Sequence, residues 1–402
     1  MPIYSYKARD IKGKLITGEG DFDSEAEIRS TLVGRKLIPI EIKQKTALNT
    51  DLSKLPMFKP KVKMQEIAIF CRQFAVMLDA GISIGGTLDI MRKQVDNATL
   101  REIIQDINDE VQKGRSLSES MKEHPEFPLL LINMVEAGEV SGNLDSAMNQ
   151  MAIHFEKQMK TQRQVKKALT YPVIVVVLMI VVVTGLLMFV VPSFVSMFQE
   201  ASAELPGVTL ALIAMSDFMR SKWYILFGII ALVVITYNRL KKIDKVRYQL
   251  DKYALNAPAF GNLNKKIITA NFCRTLSTLM KAGIPIIQTM EVIKKVVQNT
   301  IAMEVLEKCI EDIKQGGSIA ISLRESSLFP VMLISMVHIG EESGSLDTIM
   351  DKTADFYEGE VEVAIDQMTT MISPIITIVM GVMVGFIMLA IVMPMFSLAT
   401  QI

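Results

Sequence analysis

The feature that most constrains this chain is the position at which its charged residues stop. No Asp, Glu, Lys or Arg lies between Lys167 and Glu200, and none follows Asp366 to the C-terminus. A shorter uncharged run covers residues 223–238. An apolar helix of about 20 residues can cross the ~30 Å hydrocarbon layer of a bilayer. We therefore predict three transmembrane helices, at residues 171–192, 222–239 and 373–395.

The overall composition conceals this pattern. The chain has 43 basic and 43 acidic residues, and half of its residues are hydrophobic. A net charge of zero argues against a nucleic-acid-binding protein, because such proteins carry a surplus of positive charge. Three cysteines cannot make a disulfide scaffold, and three histidines offer little material for a metal or acid–base site.

Basic residues predict how the spans are oriented. Lysines and arginines precede the first span and follow the second, whereas the loop between them, residues 193–221, has Arg220 as its one cation. Loops rich in Lys and Arg stay in the cytoplasm. We therefore expect a multi-pass protein with a cytoplasmic N-terminus and an extracytoplasmic C-terminus. The residues before the third span are acidic, so they add no evidence about orientation.

The chain contains an internal repeat. FCRQFAVMLDAGISI (residues 70–84) matches FCRTLSTLMKAGIPI (272–286), and GEVSGNLD (138–145) matches GEESGSLD (340–347). Both matches have an offset of 202 residues. Two copies of a soluble domain followed by a span can lie on one side of a membrane only if the chain returns between them. This requirement favours residues 223–238 as a span.

Apolar residues recur at helical spacing in both copies, and we count six helices in each. Gly81 and Gly283 are predicted to stop the first helix of each copy, and Ser116 and Ser318 to cap a short fourth helix. The first 43 residues read as two strands, a helix and a strand. The predicted fold is a mainly α integral membrane protein with two duplicated six-helix cytoplasmic bundles, three transmembrane helices and a small N-terminal ββαβ segment.

The predicted order along the chain is an N-terminal ββαβ segment (1–43), a linker (44–63), a first cytoplasmic helical domain (64–170), transmembrane helix 1 (171–192), an extracytoplasmic loop (193–221), transmembrane helix 2 (222–239), a connector (240–265), a second cytoplasmic helical domain (266–372), transmembrane helix 3 (373–395) and a short extracytoplasmic tail (396–402). Pro172 and Pro374 lie where helices are predicted to enter the membrane and bend. Pro192 and Pro394 are predicted to end those helices on the outer side.

One polar motif, GExSGxLD, carries candidate chemistry. Glu139 and Asp145, with their repeat mates Glu341 and Asp347, place two carboxylates around a glycine-containing turn. Three interpretations stay open: a weak divalent-cation site, a partner-binding surface, or a helix–turn–helix linker. Two carboxylates per turn are too few for a complete cation cage, so we predict neither a resident metal nor a cofactor.

Motifs for catalysis are absent from the sequence. It contains no phosphate-binding GxxxxGK[ST], no HExxH and no CxxC. We therefore predict that the chain is not an enzyme. The alternative function is a membrane transporter or channel subunit, which would require polar residues along the spans. The predicted spans contain almost no charge.

The doubled motifs F-x-R-x-x-x-x-L-x-x-A-G-I and G-E-x-S-G-x-L-D, each followed by a YP- or SP-led span, resemble the GspF/PilC family. The segments YKARDIKGKLITGEGD and LIPIEI resemble that family's N-terminal region, so the resemblance covers nearly the whole chain. Thr275 and Ser373 depart from their repeat mates Gln73 and Tyr171. The members of the GspF/PilC family are bacterial inner-membrane platform proteins of type IV pilus and type II secretion systems.

The resemblance implies a non-enzymatic platform that couples a cytoplasmic hexameric ATPase to the assembly of pilin or pseudopilin subunits. The implied partners are that ATPase, the pilins or pseudopilins, other inner-membrane assembly proteins and membrane lipid; a homo-oligomer is also expected. Candidates for partner interaction are the residues of the family motif: Arg72, Gly81, Gly138, Glu139, Gly142, Asp145, Arg274, Gly283, Gly340, Glu341, Gly344 and Asp347.

Overall fold

The computed structural model describes residues 3–10, 15–22, 25–34, 37–44, 60–192, 207–241, 243–257, 260–297 and 299–399. The chain divides into two compact units. One comprises Met1–Val62 together with Arg92–Ile104, and the other comprises Lys63–Met91 together with Gln105–Ile402. The first unit holds a small sheet, and the second holds most of the helices.

The N-terminal sheet has three antiparallel strands in the order β2-β1-β3. Its elements are β1 (Ile3–Asp10), β2 (Leu15–Asp21), helix α1 (Glu25–Gly34) and β3 (Leu37–Gln44). Ala8 of β1 is buried with Ile28 and Leu32 of α1. The β1–β3 register shifts between Lys7 and Ala8, opposite Pro39. A proline cannot donate to the ladder, so an irregularity at this position is expected.

The described secondary-structure elements of the first repeat are all helices. Its elements are α2 (Met64–Asp79), α3 (Ile84–Gln94), α4 (Ala98–Gln112), α5 (Leu117–Lys122), α6 (Leu129–Ser141) and α7 (Leu144–Gly185), and α7 continues as a π-helical turn (Leu186–Val190). The predicted helix stop at Gly81 is confirmed by its φ of +80°. The predicted cap at Ser116 is confirmed, since its hydroxyl accepts the N–H of Glu119.

The second repeat follows the same order after two extra helices. The elements are α8 (Gly207–Leu240), α9 (Asp244–Asn256), α10 (Phe260–Lys281), α11 (Ile286–Val296), α12 (Thr300–Lys314), α13 (Ile319–Arg324), α14 (Val331–Ser343) and α15 (Leu346–Ala399). The predictions for Gly283 (φ +77°) and for the Ser318 cap are also confirmed. One apolar cluster, which includes Phe272, Leu276 and Met350, forms its core.

Two helices are long and apolar enough to cross a membrane, and they are the last helix of each repeat. Among the described residues these helices are Leu144–Val190 and Leu346–Leu389. Each runs without a break from the buried core of its repeat into the apolar segment. Pro172 and Pro374 therefore lie inside continuous helices.

The prediction that Pro394 ends its helix was wrong, because α15 continues to Ala399. A proline removes one helical hydrogen bond. In an apolar environment, leaving the helix would expose several further backbone groups without partners, so continuing it is the better solution.

Two segments predicted as connections contain helices. Residues 193–206 of the predicted loop lie outside the described residues, but the remainder belongs to α8, which is kinked at Lys222 (φ −130°, ψ 22°). The predicted connector, 240–265, holds α9 and the start of α10. Helix α9 is fixed by Asp251, whose carboxylate accepts the N–H and the hydroxyl of Thr300, both at 2.8 Å. Such a tertiary contact leaves little trace in local sequence.

Candidate functional site: the duplicated motifs and the seam between the repeats

The motif glutamates bind the first turn of a short helix. The Glu139 carboxylate accepts the N–H of Leu117 at 2.5 Å, the N–H of Ser118 at 3.0 Å and the Ser118 hydroxyl at 2.5 Å. The first N–H groups of a helix have no partner within the helix, and the helix dipole favours a negative charge beside them. Glu139 on α6 therefore anchors the N-terminus of α5.

The second repeat reproduces this contact. Glu341 accepts the N–H of Ile319 at 2.6 Å, the N–H of Ala320 at 3.1 Å and the Ser318 hydroxyl at 2.7 Å. Both carboxylate oxygens of each glutamate are thus occupied by donors of the same chain. Among the residues that the structure describes, no group of three or more His, Cys, Asp or Glu side chains is placed to hold a metal ion. The cation interpretation of the motif gains no support from this geometry.

The motif glycines have two different roles. A Cβ on Gly138 would lie 2.8 Å from Cβ of Ala147 and 3.0 Å from Cα of Leu144, so this glycine lets α6 cross closely over α7. Gly142 instead adopts a left-handed conformation with φ +72° and ends α6. The sequence interpretation placed Gly138 and Glu139 in the turn, but both belong to the helix.

The equivalent glycines of the second repeat behave in the same way. A Cβ on Gly340 would lie 2.7 Å from Leu346 Cδ1, and Gly344 has a φ of +65°. Asp145 and Asp347 lie in the first turns of α7 and α15. The glutamate of each motif therefore binds the N-terminus of a short helix, α5 or α13, whereas the aspartate lies at the start of a long helix, α7 or α15. Asp145 is exposed to solvent.

The motif arginines attach the first helix of each repeat to the last. Nε and Nη2 of Arg72 donate to the two carboxylate oxygens of Glu156 at 2.9 and 2.8 Å, and Nη1 donates to Asn149. The hydrogen bonds from Arg72 hold the pKa of Glu156 below its ordinary value. In the second repeat Arg274 donates to Glu358 at 2.8 Å and also pairs with Asp351 and Asp355.

The two repeats meet along α7 and α15, and we call the ion pairs between these helices the seam. Lys157 lies 2.7 Å from Asp355 and 3.2 Å from Glu358, and Lys160 lies 2.6 Å from Glu362. Lys160 and Glu362 are repeat mates, since they are 202 residues apart. The basic and acidic flanks are visible in the sequence, but their pairing across the two repeats is not. The sequence feature that could predict this pair is the opposite charge of Lys160 and Glu362 at aligned positions of the two repeats.

A buried histidine lies beside the seam. His154 is 6% exposed, and a small cavity of about 20 Å³ next to it is also lined by Arg274, Lys157 and Glu358. Burial, together with the positive charges of Arg274 and Lys157, lowers the pKa of His154 to about 4. The imidazole is therefore neutral at ordinary pH. The motif cysteines Cys71 and Cys273 are buried, and burial raises the pKa of both thiols.

An apolar groove lies between the long helices. It has a volume of about 540 Å³ and is lined by Met179, Ile180, Val183, Thr184, Leu187, Ala214, Met215, Phe218, Met219 and Met383. The π-helical turn of α7 borders this groove, and the carbonyl of Leu187 accepts the hydroxyl of Ser216 at 2.5 Å. Methionine side chains adapt their shape to a bound surface, and π-helical turns are frequent at functional sites.

Comparison with known families identifies the two repeats and the N-terminal segment. The family model described as "Type II secretion system (T2SS), protein F" matches residues 70–192 and again residues 272–394, and the model of that family's N-terminal domain matches residues 1–43. The chain belongs to the type II secretion system protein F family. The resemblance inferred from the motifs is confirmed, and so is the duplication, because the two matches start and end 202 residues apart.

Members of the protein F family resemble this chain over nearly its whole length. It is 35% identical over 400 residues to the "Type IV pilus assembly protein PilC" of Thermus thermophilus, covering 99% of this chain and 98% of the relative. It is 34% identical to the protein of the same name from Myxococcus xanthus, covering 98% and 95%. It is 31% identical to "Type II secretion system protein F" of Xanthomonas campestris pv. campestris, covering all of both chains.

Proposed function

We propose that this chain is the inner-membrane platform protein of a type IV pilus or type II secretion machine. The observation that carries the proposal is the family match in both repeats, each of which ends in a long apolar helix. Relatives named for the pilus and for the secretion system match at similar identity, 35% and 31%. The proposal therefore includes both machines.

The proposed topology has three spans, at 171–192, 222–239 and 373–395, with the N-terminus and both helical domains in the cytoplasm. The two long apolar helices support the first and third spans. The returning span belongs to α8, whose described residues form one kinked helix. The charge pattern around α8 supports this orientation.

The proposed role is to couple a cytoplasmic hexameric ATPase to the movement of pilin or pseudopilin subunits. The chain itself has no phosphate-binding motif, so the energy would come from that partner. Helices α7 and α15 run unbroken from the helical domains into the apolar segments. Since packed helices move as rigid bodies, a displacement of either domain by the ATPase would be transmitted into the membrane.

The apolar groove is the proposed contact for the hydrophobic helix of a pilin or pseudopilin. Four of its ten lining residues are methionines, a composition that suits binding of helices with varied surfaces. The other proposed partners are inner-membrane assembly proteins and the lipid around the spans. Within the motif, Glu139 and Glu341 are assigned to helix anchoring, whereas the exposed Asp145 is the better candidate for contact with a partner.

Site-specific photocrosslinking in the host bacterium tests the function. A photoreactive residue at Met215, which lines the groove, should crosslink to a pilin or pseudopilin. The matched control is Leu232, which lies on the same helix and is 65% exposed but does not line the groove. Loss of the gene should abolish pili or secretion. Normal pilus assembly and secretion without the gene would reject the platform role, whereas equal crosslinking at both positions would reject the groove contact alone.

A further inference from the structure

The two repeats contact each other through surfaces that are not equivalent. Besides the seam, α6 of the first repeat packs against α11 of the second. The corresponding pair with the repeats exchanged is α14 of the second repeat with α3 of the first. Among the described helices, α14 and α3 do not form that packed pair. The contact within one chain is therefore head-to-tail. The α6 surface meets the α11 surface, whereas the corresponding surfaces of α14 and α3 are not packed against each other in the part of the chain that the structure describes.

The exposed side of α14 carries three apolar residues together with the polar Ser335 and the ion pair of His338 with Glu342. Val331 is 79% exposed, Met332 is 42% exposed and Ile339 is 46% exposed. These three residues, which we call the α14 face, lie within about 100° of one another around the helix, because each residue advances the helix by about 100°. The repeat mate of Met332 is Leu130, which is 1% exposed in α6. This position is thus covered in the first repeat and open in the second, and Val331 is likewise more exposed than its repeat mate Leu129, which is 36% exposed.

Side-chain sizes on the two free helices are complementary. Where α6 carries Ala137, α14 carries the larger Ile339. Where α11 carries the half-buried Ile287, α3 carries Gly85. An increase in bulk on one surface is matched by a decrease on the other, as close packing of the pair would require. In addition, Ile90 of α3 is less buried than its mate Val292, which is 4% exposed.

We propose that the α14 face binds α3 of a second copy of this chain and so reproduces between copies the α6–α11 contact found within one. The occupant is a second copy because α3 is the duplicate of the helix that covers the equivalent surface of the first repeat. A head-to-tail contact of this kind joins copies into a closed ring or an open row, rather than into a dimer through identical surfaces. The inference stands independently of the proposed function.

Cysteine crosslinking between two differently tagged full-length copies tests the contact in native membranes. One copy carries Ile339→Cys and the other carries Ile90→Cys, and copper phenanthroline oxidises the two thiols to a disulfide. The native cysteines Cys71, Cys273 and Cys309 are buried, and burial raises the pKa of their thiols, so they should not interfere. A mixed disulfide between the two tags is the expected result.

The matched control replaces Ile339→Cys by Ala137→Cys, the equivalent position of the covered surface, and should give no disulfide between copies. Two results would overturn the proposal. One is the absence of a mixed disulfide although a maleimide labels both introduced cysteines. The other is a disulfide between two Ile339→Cys copies in the absence of Ile90→Cys, because it would indicate contact through identical surfaces.

A second measurement does not depend on oxidation. Ile339→Glu lies on an exposed surface, so folding should be retained, and the dissociation constant for self-association should rise about tenfold or more, as for a central apolar residue of an interface. Val140→Glu is the control, because Val140 is 87% exposed on α6. Light scattering of the full-length protein in detergent gives the molar mass. Unchanged self-association of Ile339→Glu would contradict the proposal.

Discussion

Both repeats have an arginine that links their first and last helices, but the two arginines differ in exposure and in the number of carboxylates that they bind. In the first, the side chain of Arg72 is 37% exposed and binds one carboxylate and one amide. In the second, the side chain of Arg274 is 10% exposed and binds three carboxylates. The third carboxylate, Asp355, replaces Ile153 of the first repeat. Both repeats therefore keep the contact between the arginine and the last helix, and the second repeat adds two carboxylates to it.

The seam shows why the copies diverged. Lys160 and Glu362 occupy the same position in the two repeats and pair with each other at 2.6 Å. If the repeats were identical, this position would bring two like charges together, which is unfavourable. Opposite charges at equivalent positions therefore favour contact of the first repeat with the second over contact between two identical repeats.

The largest difference between the repeats should come from removing the arginines. Arg274→Ala removes the cation that three carboxylates share, although Lys281 still pairs with Asp351 and Lys157 still pairs with Asp355 and Glu358. We expect a loss of about 2 kcal/mol, less than for a fully buried pair because the carboxylates are partly exposed and keep their lysine partners. Arg72→Ala should cost about 0.5–1 kcal/mol, as expected for an exposed ion pair. Thermal unfolding of the full-length protein in detergent measures both. Equal losses would show that the extra carboxylates contribute nothing.

The close-crossing glycines should instead behave alike in both repeats. Gly138→Ala and Gly340→Ala each force a Cβ within 3 Å of a neighbouring helix, and overpacking of this kind costs about 1–3 kcal/mol. Gly359→Ala is the control, because it lies on an exposed face of α15 with nothing within 4 Å. That change should stabilise the helix by about 0.5–1 kcal/mol. A loss in one repeat alone would mean that the two crossings are not equivalent.

The motif glutamates test whether helix anchoring or partner binding dominates. Replacing Glu139 and Glu341 by Ala leaves backbone N–H groups of α5 and α13 without acceptors, at a cost of about 1–2 kcal/mol each. Replacement by Gln keeps one acceptor oxygen but places an NH2 donor where the second oxygen accepts, so it should restore only part of the stability. If the Gln variants are stable yet lose pilus assembly or secretion, the carboxylate charge serves a partner. If both functions persist, anchoring explains the motif.

The sequence predicts the features that depend on residues close together in the chain. The helix stops at Gly81 and Gly283 and the Ser116 and Ser318 caps follow from residue type and spacing. The role of Glu139 could not be found in this way, because its donors lie about 20 residues earlier and are brought near it by packing. The same holds for Asp251 with Thr300, and for the seam, whose partners are about 200 residues apart. These contacts depend on tertiary packing that one sequence does not display.

The smallest expected effect concerns His154, a residue that the second repeat replaces with the exposed Phe356. Burial lowers the pKa of this imidazole to about 4, whereas an unfolded chain would have its ordinary value of about 6.5. Between these two values the unfolded state binds the extra proton, so the free energy of unfolding falls as the pH falls. One proton changes this free energy by at most about 1.4 kcal/mol per pH unit.

Protonating His154 would place a third positive charge beside Arg274 and Lys157, with Glu358 as the carboxylate lining the same cavity. We therefore expect the melting temperature to fall from pH 6.5 to pH 5, and to fall less in His154→Gln. Below that range the ion-paired carboxylates, such as Glu156, begin to titrate and add their own loss. His338→Gln is the control, because His338 is exposed and pairs with Glu342, so its removal should leave most of the slope. If His154→Gln keeps the slope of the unmodified protein, the seam is not the origin of the acid sensitivity.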